Sequence, residues 1–189
     1  MKKIALFASG SGSNVENIIH YFRTKNVSVA FKIYGNNPHA FVFERAKKLA
    51  VDTYTFTKSE LQASFVLDSL QAFQPDWIVL AGFLLKFPEH IIHAYPNKVI
   101  NIHPALLPKY GGKGMYGMHV HQAVLDNKEK ATGITIHYVN EHYDEGGIIF
   151  QQSVNIEDCK TADEIADKIH VLEHHYFPEI IEQLLTRNT

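Results

Sequence analysis

Short apolar runs alternate with longer segments of helical period through the first hundred residues. Ile4-Ala5-Leu6-Phe7-Ala8 is an unbroken apolar stretch that stops at Ser-Gly-Ser-Gly, the pattern of a strand buried on both faces. Apolar residues at 15, 18, 19 and 22 then form a helical stripe over 15–24. The same alternation predicts strands over 27–34, 51–56 and 77–81 and helices over 41–50 and 59–73. Strands that take turns with helices in this way predict βαβ units and a parallel sheet.

After a fifth strand over 99–102 the pattern changes. Pro104, Pro108 and the glycines at 111, 112, 114 and 117 exclude regular structure, and a loop of that length inside a compact domain is usually functional or mobile. Strands over 132–139 and 148–156 are joined by too few residues to hold a crossover helix, which predicts antiparallel pairing. A last helix begins at Thr161-Ala162-Asp163-Glu164, where Thr161 and Glu164 fit a capping box. The expected architecture is one α/β domain over 1–189, Rossmann-like and parallel in its N-terminal half with a mixed sheet toward the C-terminus.

Composition narrows the setting. Hydrophobic residues make up 46% and charged residues 20%, values of an ordinary globular chain. With 18 Lys+Arg against 20 Asp+Glu the formal charge is -2, so no broad basic field exists to draw nucleic acid. A single cysteine, Cys159, cannot form an internal disulfide, and no apolar run approaches the roughly 20 residues that cross a bilayer. A soluble cytoplasmic protein, monomer or homodimer, without nucleic-acid or membrane partners is expected.

Two places carry candidate chemistry. Ser9-Gly10-Ser11-Gly12-Ser13-Asn14 lies between a predicted strand and a predicted helix, where backbone N–H groups and the helix dipole hold phosphate. A dinucleotide fingerprint would need a third glycine where Val15 stands and an acidic residue at the end of the second strand, which offers Asn36 and Asn37 instead. The loop therefore suits one phosphate, or is simply a turn. Further on, Asn101 and His103 end a strand on one face, an amide donor beside an imidazole, as a reaction through an oxyanion requires. Asp144, in a tight connection, could be held against His103. Histidines at 119, 121, 170, 174 and 175 lack a metal-binding signature, and no metal is expected.

Five stretches resemble the phosphoribosylglycinamide formyltransferases: Gly10-Ser11-Gly12-Ser13-Asn14; Leu80-Ala81-Gly82-Phe83; Asn101-Ile102-His103-Pro104-Ala105-Leu106-Leu107-Pro108; Gly133-Ile134-Thr135-Ile136-His137; and Asp144-Glu145-Gly146-Gly147-Ile148-Ile149. The resemblance runs along nearly the whole chain. It implies transfer of the formyl group of 10-formyltetrahydrofolate to glycinamide ribonucleotide in purine synthesis. It further implies that Gly12, Ser13, Asn14, Val15 and Glu16 bind the substrate phosphate, with His170 and Glu173 completing that site. Leu84, Leu85, Lys86 and Phe87, together with Asn140, Glu141, His142, Tyr143 and Asp144, would line the folate pocket. Asn101 and His103 would polarise the formyl oxygen, and Asp144 would favour the charged form of His103 and assist proton removal from the amine. A formyltetrahydrofolate hydrolase and a non-catalytic phosphoribosyl-nucleotide binding module are the competing readings.

Overall fold

In the computed structural model, which describes residues 1–187, seven strands form one sheet. They are β1 (Lys2–Phe7), β2 (Val29–Gly35), β3 (Asp52–Thr55), β4 (Trp77–Leu80), β5 (Val99–His103), β6 (Ala131–Tyr138) and β7 (Ile148–Asn155). Their order is β3-β2-β1-β4-β5-β6-β7. The first five are parallel; β6 is antiparallel to β5 and β7 is antiparallel to β6, the α/β architecture with a mixed C-terminal sheet that the apolar pattern predicts.

The helices are α1 (Ser13–Thr24), α2 (Phe41–Lys48), α3 (Lys58–Gln62), α4 (Phe65–Phe73), α5 (Glu89–Ala94), α6 (Met118–Asp126) and α7 (Ala162–Arg187). Strand alternation divides the core into two layers. Ile4 and Leu6 of β1 pack with α1, α2, α6 and α7, while Ala5 and Phe7 pack with α3, α4 and α5. All four strand residues are fully buried, so both faces of β1 are covered, as its unbroken apolar run requires. The Thr161–Glu164 capping box is present, with both reciprocal bonds at 3.2 Å.

Three elements differ from the sequence expectation. The helix expected over 59–73 is split: Thr57 caps α3, Ala63 is extended and α4 starts at Phe65. Leu61 and Val66 are five residues apart, far from one stripe of a straight helix, and the break lets both bury fully in one layer. α5 follows Pro88, which ends the preceding segment in extended backbone. α6 emerges directly from the glycine-rich loop, and its buried Val120, His121 and Val124 have helical spacing that the neighbouring glycines obscure.

Between β1 and β4 the strand order reverses, opening a crevice at the carboxyl ends of the parallel strands. The loops after β1 and β4 flank it, and β5 ends beside them. On the far side the β6–β7 pair is held close at Gly133, where an added Cβ would lie 2.0 Å from the Gln152 carbonyl oxygen and 2.7 Å from Leu106 Cδ2. Gly133→Ala is expected to cost about 1–3 kcal/mol through overpacking, a fall in Tm of about 2–12 °C at roughly 2–4 °C per kcal/mol. Thermal melting checks this; an unchanged Tm would contradict the β6–β7 register.

Candidate active site

The site is founded on the antiparallel β5–β6 pair. Asn101 lies opposite His137 and His103 opposite Thr135, so these four side chains share one face. Ile100, Ile102, Ile134 and Ile136 occupy the other face and are buried in the core. A slip of one residue would exchange the two sets, so the isoleucines fix where the polar groups stand.

His137 sets the orientation of Asn101. Its Nδ1 lies 2.8 Å from the Tyr138 carbonyl, which can only accept, so Nδ1 carries the proton and Nε2 presents a lone pair. Asn101 Nδ2 lies 3.1 Å from that Nε2 and donates to it. The amide is thereby fixed, and its second N–H has no hydrogen-bond partner among the described residues. Burial is the main reason the His137 ring is pushed below the ordinary histidine range, opposed by its bond to the Tyr138 carbonyl and by Asp144, with His103 adding a little to it; the ring remains a neutral acceptor at pH 7.

His103 is almost fully buried, and its Nε2 donates to the Tyr110 carbonyl at 2.7 Å. Its other nitrogen, Nδ1, lies 3.6 Å from Asp144 Oδ2, within ion-pair reach when the ring carries a second proton. Asp144 Oδ2 accepts from the Gly112 N–H at 2.9 Å, and Oδ1 lies 3.6 Å from His137 Nε2. The carboxylate thus stands between two histidines and anchors the glycine-rich loop to the site. Tyr110 and Asp144 both have left-handed backbone, φ 58 each. Such positions cost on the order of 1–3 kcal/mol for residues other than glycine, and here they aim a carbonyl and a carboxylate at the two edges of one imidazole. Beyond His103, Thr135 Oγ1 donates to the Ala105 carbonyl at 2.7 Å and accepts from the Leu107 N–H at 3.0 Å, which pins the chain as it leaves β5.

At the other end of the crevice the loop after β1 delivers the N-terminus of α1 with no side-chain cap on its N–H groups. Gly12 has φ 71, and a Cβ there would lie 2.4 Å from Val42 Cγ2, so only glycine allows α2 to pack this close. Ser9 ties this loop to the one after β4: its hydroxyl donates to Asn36 Oδ1 at 2.7 Å and accepts from the Leu84 N–H at 3.0 Å. Asn14 Nδ2 donates to Glu173 Oε2 at 3.0 Å, and His170 Nδ1 lies 3.5 Å from the same oxygen. That bond to Glu173 is the main cause pushing His170 up. Burial, with the His170 ring 3.9 Å away, pushes His174 down.

A cavity of about 670 Å³ joins the two ends. Asn14, Asn101, His103, Asp144, His170 and Glu173 line it, as do 84–87 and 140–143. Of the predicted phosphate-binding residues 12–16 only Asn14 lines the cavity, and two side chains face elsewhere: Val15 is fully buried in the core, while the Glu16 N–H bonds the Gly12 carbonyl and its carboxylate pairs with Arg45. For Val15 the available group is the backbone N–H. The loop after β4 contributes Leu84 as an exposed wall, whereas Phe87 is buried with its ring 5.2 Å from that of Phe7. Among the residues that the sequence reading gave no part in the chemistry, two histidines also line the cavity. One is His137; its place opposite Asn101 follows from register and could have been found by pairing the two strands. The other is His121, buried, with no partner for Nδ1 among the described residues and pushed down by burial. Among the described residues no group of three His, Cys, Asp or Glu side chains is arranged to hold a metal ion, and no helix is long and apolar enough to cross a membrane.

Comparison with known proteins agrees with this geometry. The chain is 37% identical, over its full length and 97% of the relative's, to phosphoribosylglycinamide formyltransferase of Bacillus subtilis. It is 35% identical over 95% of its length to the chloroplastic phosphoribosylglycinamide formyltransferase of Arabidopsis thaliana, of which it spans 64%. The crystal structure of phosphoribosylglycinamide formyltransferase from Bacillus halodurans superimposes with a TM-score of 0.88 at 33% identity, covering 100% of this chain and 97% of that one. The formyl transferase family model matches residues 2–181, nearly the whole chain, and the chain belongs to the formyl transferase family.

Proposed function

We propose that this enzyme transfers the formyl group of 10-formyltetrahydrofolate to the amine of glycinamide ribonucleotide. The observation that carries the reading is the Asn101 amide, held by His137 through one N–H with the other left unused in a cavity that ends at an uncapped helix N-terminus. An uncapped N-terminus suits a phosphate, and an oriented amide suits an oxygen that gains charge. The names of the relatives supply the acceptor's identity.

In this reading the phosphate sits on the N–H groups of 13–15, the ribose faces Asn14, His170 and Glu173, and the amine reaches toward β5. The reduced folate occupies the cavity between 84–87 and 140–144. The amine attacks the formyl carbon, forming the new C–N bond and a tetrahedral oxyanion. Asn101 donates its free N–H to that oxyanion. With Nε2 of His103 held by the Tyr110 carbonyl, Nδ1 is the edge left for chemistry, and Asp144 stabilises its proton beside the developing negative charge. Collapse breaks the bond to N10 of the folate; the amine loses one proton and N10 gains one, leaving formylglycinamide ribonucleotide and tetrahydrofolate.

Formyl release from 10-formyltetrahydrofolate, followed with and without glycinamide ribonucleotide, tests the reading. Turnover that requires the nucleotide is expected. Turnover that ignores it would make the enzyme a hydrolase, and nucleotide binding without turnover would make the chain a binding module. His103→Ala and Asp144→Asn are each expected to lower kcat on the order of 10²-fold or more, and near-normal rates in both would remove the mechanism. His137→Phe frees the Asn101 amide and is expected to lower kcat about tenfold, one lost hydrogen bond, with nucleotide KM within about twofold. A change confined to KM would assign His137 to binding instead.

A further inference from the structure

The cavity wall carries more acids than bases: Glu141, Asp144, Asp167 and Glu173 against Lys86 and Lys113. One more acid, Glu16, stands in the first turn of α1, where a carboxylate opposes any anion at the helix N-terminus. Yet among the described residues only one Lys or Arg side chain is hydrogen-bonded to residues 9–16. That side chain is Arg45 of α2. Its Nε donates to the Ser11 carbonyl at 2.9 Å and its Nη1 pairs with the Glu16 carboxylate. The guanidinium lies over the Phe41 ring, 4.9 Å from its centre. One turn earlier on α2, the Val42 N–H donates to the Gly10 carbonyl at 3.2 Å, and Val42 fills the space a Cβ on Gly12 would need. One face of α2 therefore braces the loop through Val42 and compensates its charge through Arg45.

We propose that Arg45 is a positioning residue for the nucleotide substrate: it cancels the Glu16 charge and holds the Ser11 carbonyl turned away, so that the α1 N-terminus meets the phosphate with a net positive potential. This rests on the reading that the phosphate binds at α1. Arg45 contacts the loop and the acid rather than the phosphate, and its effect reaches the ligand through the field at the helix end.

The test is a steady-state comparison of wild type, Glu16→Gln, Arg45→Gln, Arg45→Met and the double variant Glu16→Gln/Arg45→Met, with thermal melting of each. Uncovering one charge about 8 Å from a phosphate dianion, at an effective dielectric between protein surface and water, is worth roughly tenfold in affinity. Arg45→Gln and Arg45→Met are therefore expected to raise the KM for glycinamide ribonucleotide about tenfold, leaving kcat and the folate KM within about twofold. The double variant should return to within about threefold of wild type, and Glu16→Gln alone should bind the nucleotide as well as wild type or better. The proposal is overturned by an Arg45→Gln enzyme with unchanged nucleotide KM, by a Glu16→Gln enzyme with a raised one, or by a double variant no better than Arg45→Met, which would reduce Arg45 to a brace. If Arg45→Met does not fold, Glu16→Gln and Arg45→Gln decide alone, since a higher nucleotide KM in Glu16→Gln contradicts charge cancellation. Ser13→Asp separates the proposal from the reading beneath it. A large rise in nucleotide KM there, with none in Arg45→Gln, keeps the phosphate at α1 and rejects Arg45; no rise in Ser13→Asp removes the phosphate from α1.

Discussion

The antiparallel pairing of β5 with β6 is the constraint on which the site depends. Burying Ile100, Ile102, Ile134 and Ile136 on one face requires Asn101, His103, Thr135 and His137 on the other. Apolar burial of this size, about 1.5–3 kcal/mol for each large side chain, outweighs any single polar contact, so the core sets the register and the register sets the chemistry. The polar groups then satisfy one another. His137 accepts from Asn101, Thr135 holds the chain beyond His103, and Asp144 stands between the two imidazoles.

The parallel half of the sheet contributes a second fixed point at the other end of the cavity. Its strand order reverses at β1 and β4, and Ser9 joins the loops that follow those strands through one hydroxyl. Under the proposed function, a ligand with a phosphate at one end and a reacting group at the other would be held between two rigid features. Both ends are built from element termini whose backbone is fixed by packing, which is how reacting atoms are kept within a near-attack distance. The glycine-rich loop between them is tied down at Gly112 through Asp144, so the acid that stands between the two histidines also closes the wall.

Much of this was legible in the sequence because it rests on local periodicity. The fully apolar run at 4–8, the stripe at 15, 18, 19 and 22 and the capping box at Thr161 each report their own surroundings, and the structure places them accordingly. Asn101 and His103 were legible as a pair because alternation along one strand puts them on one face. What escaped depends on partners distant in sequence. His137 gains its place opposite Asn101 only when the strands are paired, and Arg45 reaches the phosphate-type loop from a helix 29 residues beyond its partner Glu16. The break at Ala63 carries no glycine or proline to announce it and follows from the burial of Leu61 and Val66 together.

The central claim is that the β5–β6 register holds His137 as a neutral acceptor that aims the Asn101 amide at the reacting oxygen. Imidazole ¹⁵N chemical shifts of the folded protein near pH 7 report it directly. The account predicts a neutral His137 ring with its proton on Nδ1 and a hydrogen-bonded, unprotonated Nε2. A proton on Nε2, whether in the other neutral tautomer or in a charged ring, would contradict it, because Asn101 could then not donate to His137.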